Sequence, residues 1–315
     1  MRHSRRAPVS FAFSDPPLRV SIRAEPVELA GFRSAPVAEV VLFHFGAALV
    51  CFSFPIHATV EGLRPLAGAL DQGSLLERAR SLASDLLRRA GPAITSASLS
   101  PLTEDYVLWE VSVPEHGIDV LATDPAVAAL LRAEHPPLSQ QEAAEALSVR
   151  LSYRPDDAVL IDWNAAILVG KDNDDVRAVL EYANVELLEM RYLDRALDDA
   201  IEHWQRRGTK GWAWSSVRRD LARLQTDASL LFEGVNNTLK LVGDQYLARV
   251  YQAAARRFHL PAWDASILRK ITTIESMHGR LSDHRANLRM ELLEWIIILL
   301  IAFEVVRPAI SWLAG

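Results

Sequence analysis

The sequence predicts an α+β fold: an N-terminal mixed α/β head domain followed by a long-helix bundle or coiled-coil hairpin, closed by an apolar C-terminal helix. Three observations predict it. Up to residue 170, short β-branched runs mix with helical stretches without regular βαβ alternation. From Asp172 onward no strand pattern occurs, and apolar residues recur at helical spacing. Residues 295–303 are apolar on every helical face. The expected boundaries are 1–17 for a flexible N-terminus, 18–170 for the head, 171–291 for the helical bundle and 292–315 for the apolar C-terminal helix, a candidate membrane anchor.

In the head, residues 18–23 alternate with Val20 and Ile22 on one face, as a half-buried strand does. Residues 40–54 are almost wholly apolar and rich in β-branched and aromatic side chains. They read as two buried strands, or one long strand with a bulge or turn near Gly46. Leu75, Leu76, Ala79, Leu82, Leu86 and Leu87 fall at helical spacing over 74–89, and Gly91-Pro92 stops that helix. Strands are expected over 106–113 and 118–121, with a turn between them. Short helices follow over 125–132 and 139–147, the second opened by Ser139 and Glu142 as a capping box. Strands over 149–153, 158–163 and 166–169 complete the head.

The second half reads as helices. Residues 172–206 carry Val179, Leu180, Leu187, Leu188, Leu193 and Leu197, and Gly208 and Gly211 end the pattern. Val217, Leu221, Leu224, Ala228, Leu231 and Val235 step by four and three, a heptad-like seam. After Leu260-Pro261 a further helix is expected with Asp264 as its candidate cap. Its stripe is Ile267, Ile271, Ile274, His278, Leu281, Leu288 and Leu292. Long antiparallel helices joined by short breaks make a bundle or hairpin.

Composition bounds the function. At about 150 residues per domain, 315 residues predict two domains. The net charge of −6 argues against direct sequence-specific nucleic-acid binding, which favours a basic face. The single Cys51 excludes an intramolecular disulfide framework and any multi-cysteine metal site. The N-terminal tail has early arginines, but Pro8, Asp15, Pro16 and Pro17 interrupt any secretory signal core.

The C-terminal segment carries the membrane expectation. Residues 295–303 contain no polar side chain, and tryptophans Trp295 and Trp312 flank the longer stretch as interfacial anchors do. Glu304 and Arg307 oppose insertion by about 2.5–3.5 kcal/mol each if central, which nearly cancels the apolar gain. Three residues apart, they can share a helix face and pair. Arg285 and Arg289 precede the segment and would keep the head on the cytoplasmic side. A buried helix or oligomer seam is the alternative, and the protein would then be cytoplasmic.

Catalytic and metal signatures do not stand out: there is no P-loop, Gly-x-Gly-x-x-Gly, Gly-x-Ser-x-Gly or His-Glu-x-x-His. No catalytic residue, cofactor or metal is therefore assigned. His278 lies on the apolar stripe, where a histidine bonded to Glu294 or Glu304 is expected rather than a ligand. Trp212 and Trp214 read as plugs at a bundle end. Arg218, Arg219 and Arg223 read as the solvated face of the seam.

Residues 243–251 (Gly-Asp-Gln-Tyr-Leu-Ala-Arg-Val-Tyr), Arg257-Phe-His-Leu260, Trp263 and the Leu292-Leu-Glu-Trp-Ile-Ile-Ile-Leu-Leu-Ile301 run with Glu304 resemble the carboxy-terminal half of the "required for meiotic nuclear division" family, a domain of unknown function shared by bacterial and mitochondrial proteins. The apolar strand around Phe45-Gly46 and residues 146–151 resemble its earlier blocks. The resemblance implies no established enzymatic activity. Its eukaryotic members are similar to inner-membrane proteins that support mitochondrial translation by tethering ribosomes. It singles out Asp244, Tyr246, Arg257 and His259, which join His278, Glu294 and Glu304 as a candidate polar cluster. Arg257 or His259 is expected to meet an acidic group of the last helix.

The function expected is a non-enzymatic membrane-associated scaffold or tether, linked through the resemblance to ribosomes or translation. Its expected partners are a second copy of itself, the membrane through the C-terminal helix, and the ribosome or another protein. Two alternatives stay open. One is a soluble helical homo-oligomer with the C-terminal helix as its interface. The other is an enzyme of unrecognised chemistry in the head–bundle cleft, using His259, Asp244 and His278.

Overall fold

The computed structural model describes residues 17–43, 45–91, 99–111, 121, 123–207, 245–274 and 276. It has mixed helices and sheets, as the α+β reading requires. Strand β1 (Leu18–Arg23) pairs antiparallel with β4 (Val37–Leu42), which pairs antiparallel with β5 (Ala48–Phe52). The apolar run after residue 40 is thus a hairpin that turns where expected. Gly46 takes a φ of +111°, and the Phe43 and Ala47 backbone closes the loop.

A small hairpin of β2 (Glu28–Leu29) and β3 (Phe32–Arg33) lies between β1 and β4. It turns on Ala30 and Gly31, both at positive φ, the geometry of a two-residue type I′ loop. Alanine at the first position hid this turn in the sequence. Helix α1 (Val60–Asp71) was also illegible, because Gly62, Pro65 and Gly68 interrupt its pattern. It is nonetheless capped by Thr59, whose hydroxyl accepts from the Gly62 amide. Helix α2 (Leu76–Ala90) matches the expected helix and packs along β5.

The second sheet holds β6 (Val107–Val111), β7 (Arg150–Leu151), β8 (Ala158–Ile161) and β9 (Ala165–Val169) in the order β6-β9-β8-β7. The β6–β9 pair is parallel and the others are antiparallel. Between β6 and β7 run α3 (Pro125–Leu131), capped by Asp124, and α4 (Gln140–Ala146), capped by Ser139. Only half of the expected capping box forms. The Ser139 hydroxyl accepts from the Glu142 amide, while the Glu142 carboxylate is drawn away to Arg132.

This sheet is buried on both faces, which explains why β8 and β9 read as continuous apolar runs. Ala158, Leu160, Ala165 and Ile167 face α1 and α3. Val159, Ile161, Ala166 and Leu168 face α5 (Asp174–Arg207), α6 (Gln245–Arg257) and α7 (residues 260–274). The expected boundary at 170/171 falls in the turn between β9 and α5, and one apolar core crosses it.

One helix start is corrected. Asp264 lies inside α7 rather than capping it. His259, at φ +57°, ends α6, and its carbonyl accepts from Ala262 and Trp263. Pro261 then sits in the first turn of α7, where its missing N–H costs nothing.

Several expected features lie outside the described residues: the N-terminal tail to residue 16, most of the strand over 118–121, Trp212 and Trp214, the seam from Val217 to Val235, and the stripe from His278 on. The apolar segment bounded by Trp295 and Trp312 lies outside them as well. Among the described residues no helix is long and apolar enough to cross a membrane.

Candidate functional site

The densest polar constellation among the described residues gathers at one end of the second sheet. Its centre is Asp162, the first residue of the β8–β9 turn, which is 0% exposed. A carboxylate so buried needs charged donors on its oxygens. Oδ1 accepts from the Trp163 amide at 2.9 Å and from the Arg257 Nε at 2.7 Å. Oδ2 forms an ion pair with the Arg132 guanidinium, 2.5 Å from its Nε, without the alignment of a hydrogen bond. The backbone carbonyl of Asp162 accepts from the Tyr106 hydroxyl at 2.8 Å.

The two guanidiniums reach onward. Arg132, just past α3, contacts Glu142 at 2.6 Å and Glu145 at 2.5 Å, both on α4. Arg257 reaches Glu145 with both terminal nitrogens. The Arg132 guanidinium also lies 5.1 Å above the ring of Trp163, which is 55% exposed. Two cations thus hold three carboxylates, tying the β8–β9 turn, α3, α4 and the end of α6 together.

The electrostatics follow from these contacts. The hydrogen bond from Arg257 holds the Glu145 carboxyl down at about 2, with the charges of Arg257 and Arg132 adding to it. The same bond from Glu145 raises the Arg257 guanidinium against the opposing cost of burial. Burial pushes the Tyr106 phenol well above its ordinary value, and the negative charge of Asp162 adds to this. The arrangement is a lock. Both guanidiniums and all three carboxylates are engaged with one another.

The residues singled out in the sequence fare unevenly. Arg257 is central to the lock. Its partners among the described residues are Asp162 and Glu145 of the head, while the acidic groups of the last helix with which a pairing was expected lie outside the described residues. His259 is exposed at the α6–α7 junction. Tyr246 is buried, with its ring 5.3 Å from Tyr153 and the Arg249 guanidinium 5.8 Å from its centre. Asp244, His278, Glu294 and Glu304 lie outside the described residues. Sequence reasoning missed Asp162, Arg132 and Glu145. The strand expected over 158–163 took in Asp162 and Trp163, whereas β8 ends at Ile161 and leaves Asp162 in the turn.

A second cluster ties the first sheet to α5. Arg19 bridges Glu39 at 2.6 Å and Glu181 at 3.0 Å, and the Cys51 thiol donates towards Glu181 at 3.8 Å. A shallow pocket of about 350 Å³, open mouth included, lies beside α1 and is lined by Asp71, Asp105, Trp109 and Asn164 among others. No group of three or more His, Cys, Asp or Glu side chains is placed to hold a metal among the described residues.

A family model described as the N-terminal domain of the uncharacterized protein MJ0711 matches residues 1–175. The chain belongs to this family. The uncharacterized protein MJ0711 of Methanocaldococcus jannaschii is 24% identical over 184 residues, 56% of this chain and 56% of that protein. The match therefore spans little more than half the length of the relative. No solved structure matches the chain.

Membership of the MJ0711 N-terminal-domain family corrects the expected "required for meiotic nuclear division" assignment, to which nothing in these matches connects. The strongest blocks of that resemblance lie beyond residue 175. Where they are described, core packing accounts for them: Tyr246, Leu247, Val250, Tyr251, Phe258 and Leu260 are all buried against α5 and the second sheet. The family match covers Tyr106, Arg132, Glu142, Glu145 and Asp162 but stops before Arg257.

Proposed function

We propose that the protein is a non-enzymatic, membrane-associated scaffold, in which an α+β head is fixed to helices that continue as a bundle or hairpin and end in an apolar anchoring helix. The observation that carries this reading is the Asp162 lock, whose charged groups are spent on holding the head to α6. Helix α5 supports it. At 1.5 Å per residue its 34 residues run about 50 Å. Val176, Val179 and Leu180 lie in the core with the second sheet, while Asp194 and Asp198 further along bind Lys270 of α7. The anchor is read from the sequence, from the apolar run between Trp295 and Trp312 with arginines ahead of it.

The test is flotation of the full chain with vesicles of phosphatidylcholine and phosphatidylglycerol, followed by high-salt and alkaline washes. Retention through both washes is the expected result, and Glu304→Leu should strengthen it by removing a charge from hydrocarbon. Release by salt, or failure to float, would remove the anchor. Sedimentation of the same preparation as a defined oligomer would then favour a soluble homo-oligomer.

A further inference from the structure

We propose that the Glu186 carboxyl is a proton-operated latch that closes α6 and α7 onto α5 when it is protonated and loosens them when it ionises. Glu186 lies on α5 and is 3% exposed. Its Oε2 accepts from the Tyr251 hydroxyl of α6 at 2.5 Å. Its Oε1 is shut off from solvent and has no hydrogen-bond partner among the described residues, and the same holds for Oδ1 of Asp264 on α7. Two unsatisfied carboxylate oxygens in one helix core are costly, because an ionised carboxyl only accepts. Protonation removes the charge from the unpartnered Oε1 and ends its repulsion with Asp264.

The groups that bear on Glu186 are Tyr251 from α6 and Asp264 from α7, with Tyr182 of α5 acting on Tyr251. Three cations of α5, α6 and α7 pair with other carboxylates. Arg191 pairs with Glu104, Arg257 with Asp162 and Glu145, and Lys270 with Asp194 and Asp198. Burial, chiefly, raises the Glu186 carboxyl to about 7, with the charge of Asp264 adding to it and the Tyr251 hydrogen bond pulling the other way.

The direction follows by linkage. A carboxyl raised in the folded state contributes its full stability below the unfolded value, about 4.5, and loses it as pH rises to about 7. Across that window the folded-to-unfolded ratio should fall up to about tenfold per pH unit on account of Glu186, then level off.

The test follows the Glu186 carboxyl carbon by NMR in the full chain and measures urea midpoints from about pH 5 to about pH 8 for the wild type, Glu186→Gln and Tyr251→Phe. The wild-type carboxyl should titrate far above an ordinary glutamate. Glu186→Gln, which keeps the shape and supplies a donor, should lose this part of the pH slope. Tyr251→Phe should move the Glu186 titration upward, because the ionised form loses its donor. A wild-type Glu186 that titrates near its ordinary value overturns the proposal, as does a Glu186→Gln protein that keeps the full slope. If Glu186→Gln does not fold, the wild-type and Tyr251→Phe titrations decide.

Discussion

Arg257, the last residue of α6, donates its Nε to the carboxylate of Asp162, 95 residues earlier in the chain, at 2.7 Å. The contact joins the second sheet to a helix from the far half of the sequence. Just past Arg257 the chain leaves α6 at His259, at φ +57°, and α7 packs against α5.

Replacing Asp162 by Asn should therefore be severe. It removes the anion between two guanidiniums at a carboxylate that is itself closed to water. Breaking a buried pair from one side costs about 3–5 kcal/mol, because the remaining charges keep their desolvation cost. Urea denaturation should show a loss of this size, and Arg257→Met added to Asp162→Asn should cost less than the two single changes together. A loss below about 1 kcal/mol would mean that the lock contributes little.

Glu145 gives the lock an acid sensitivity. Its carboxyl is held at about 2, below the ordinary 4.5, so its contribution is present above about 4.5 and is lost as pH falls towards 2. Half of the side chain is exposed, so solvent screening limits the worth of the pairing to about 1 kcal/mol or less. Glu145→Gln should lower stability by that amount at neutral pH and by nothing near pH 2. An equal loss at both pH values would show that the effect is not the ion pair.

The legible parts of the fold were those with an uninterrupted period or a strong stop signal. β1 showed its alternation, the β4–β5 hairpin its Gly46, and α5 its long apolar stripe. α1 was hidden by Pro65 and two glycines, and tertiary burial of Leu66 and Ala67 outweighs those poor helix formers. The site was hardly legible. Arg257 entered only through the resemblance that the family match overturns, and Asp162 was taken into the strand over 158–163, where nothing local shows that its carboxylate is sealed in. Glu186 was equally silent, since one glutamate in a charged helix looks like any other.

Gly46 allows a separation of conformational from steric cost. A methyl group added there would meet no atom within 4 Å, so the +111° φ alone opposes it. Gly46→Ala should therefore destabilise by about 1–3 kcal/mol. Thermal unfolding reads this directly. An unchanged midpoint would indicate that the β4–β5 loop relaxes to a negative φ without loss.

Cys51 tests the second cluster. It sits on β5 beside Glu181, and burial, followed by the charges of Glu181 and Glu39, pushes its thiol upward, while Arg19 and Arg177 pull it down more weakly. The thiolate is the reactive form, so its scarcity should make Cys51 slow towards disulfide reagents in the folded protein. We expect native labelling near pH 8 to be at least about tenfold slower than that of the unfolded chain. Glu181→Gln removes the nearest negative charge and also frees Arg19 from one partner, so both changes favour the thiolate. Labelling should then speed up by more than any loss of global stability explains, which a parallel urea titration measures. If Glu181→Gln leaves the native rate unchanged, access to the thiol rather than its ionisation is limiting, and Glu181 does not govern Cys51.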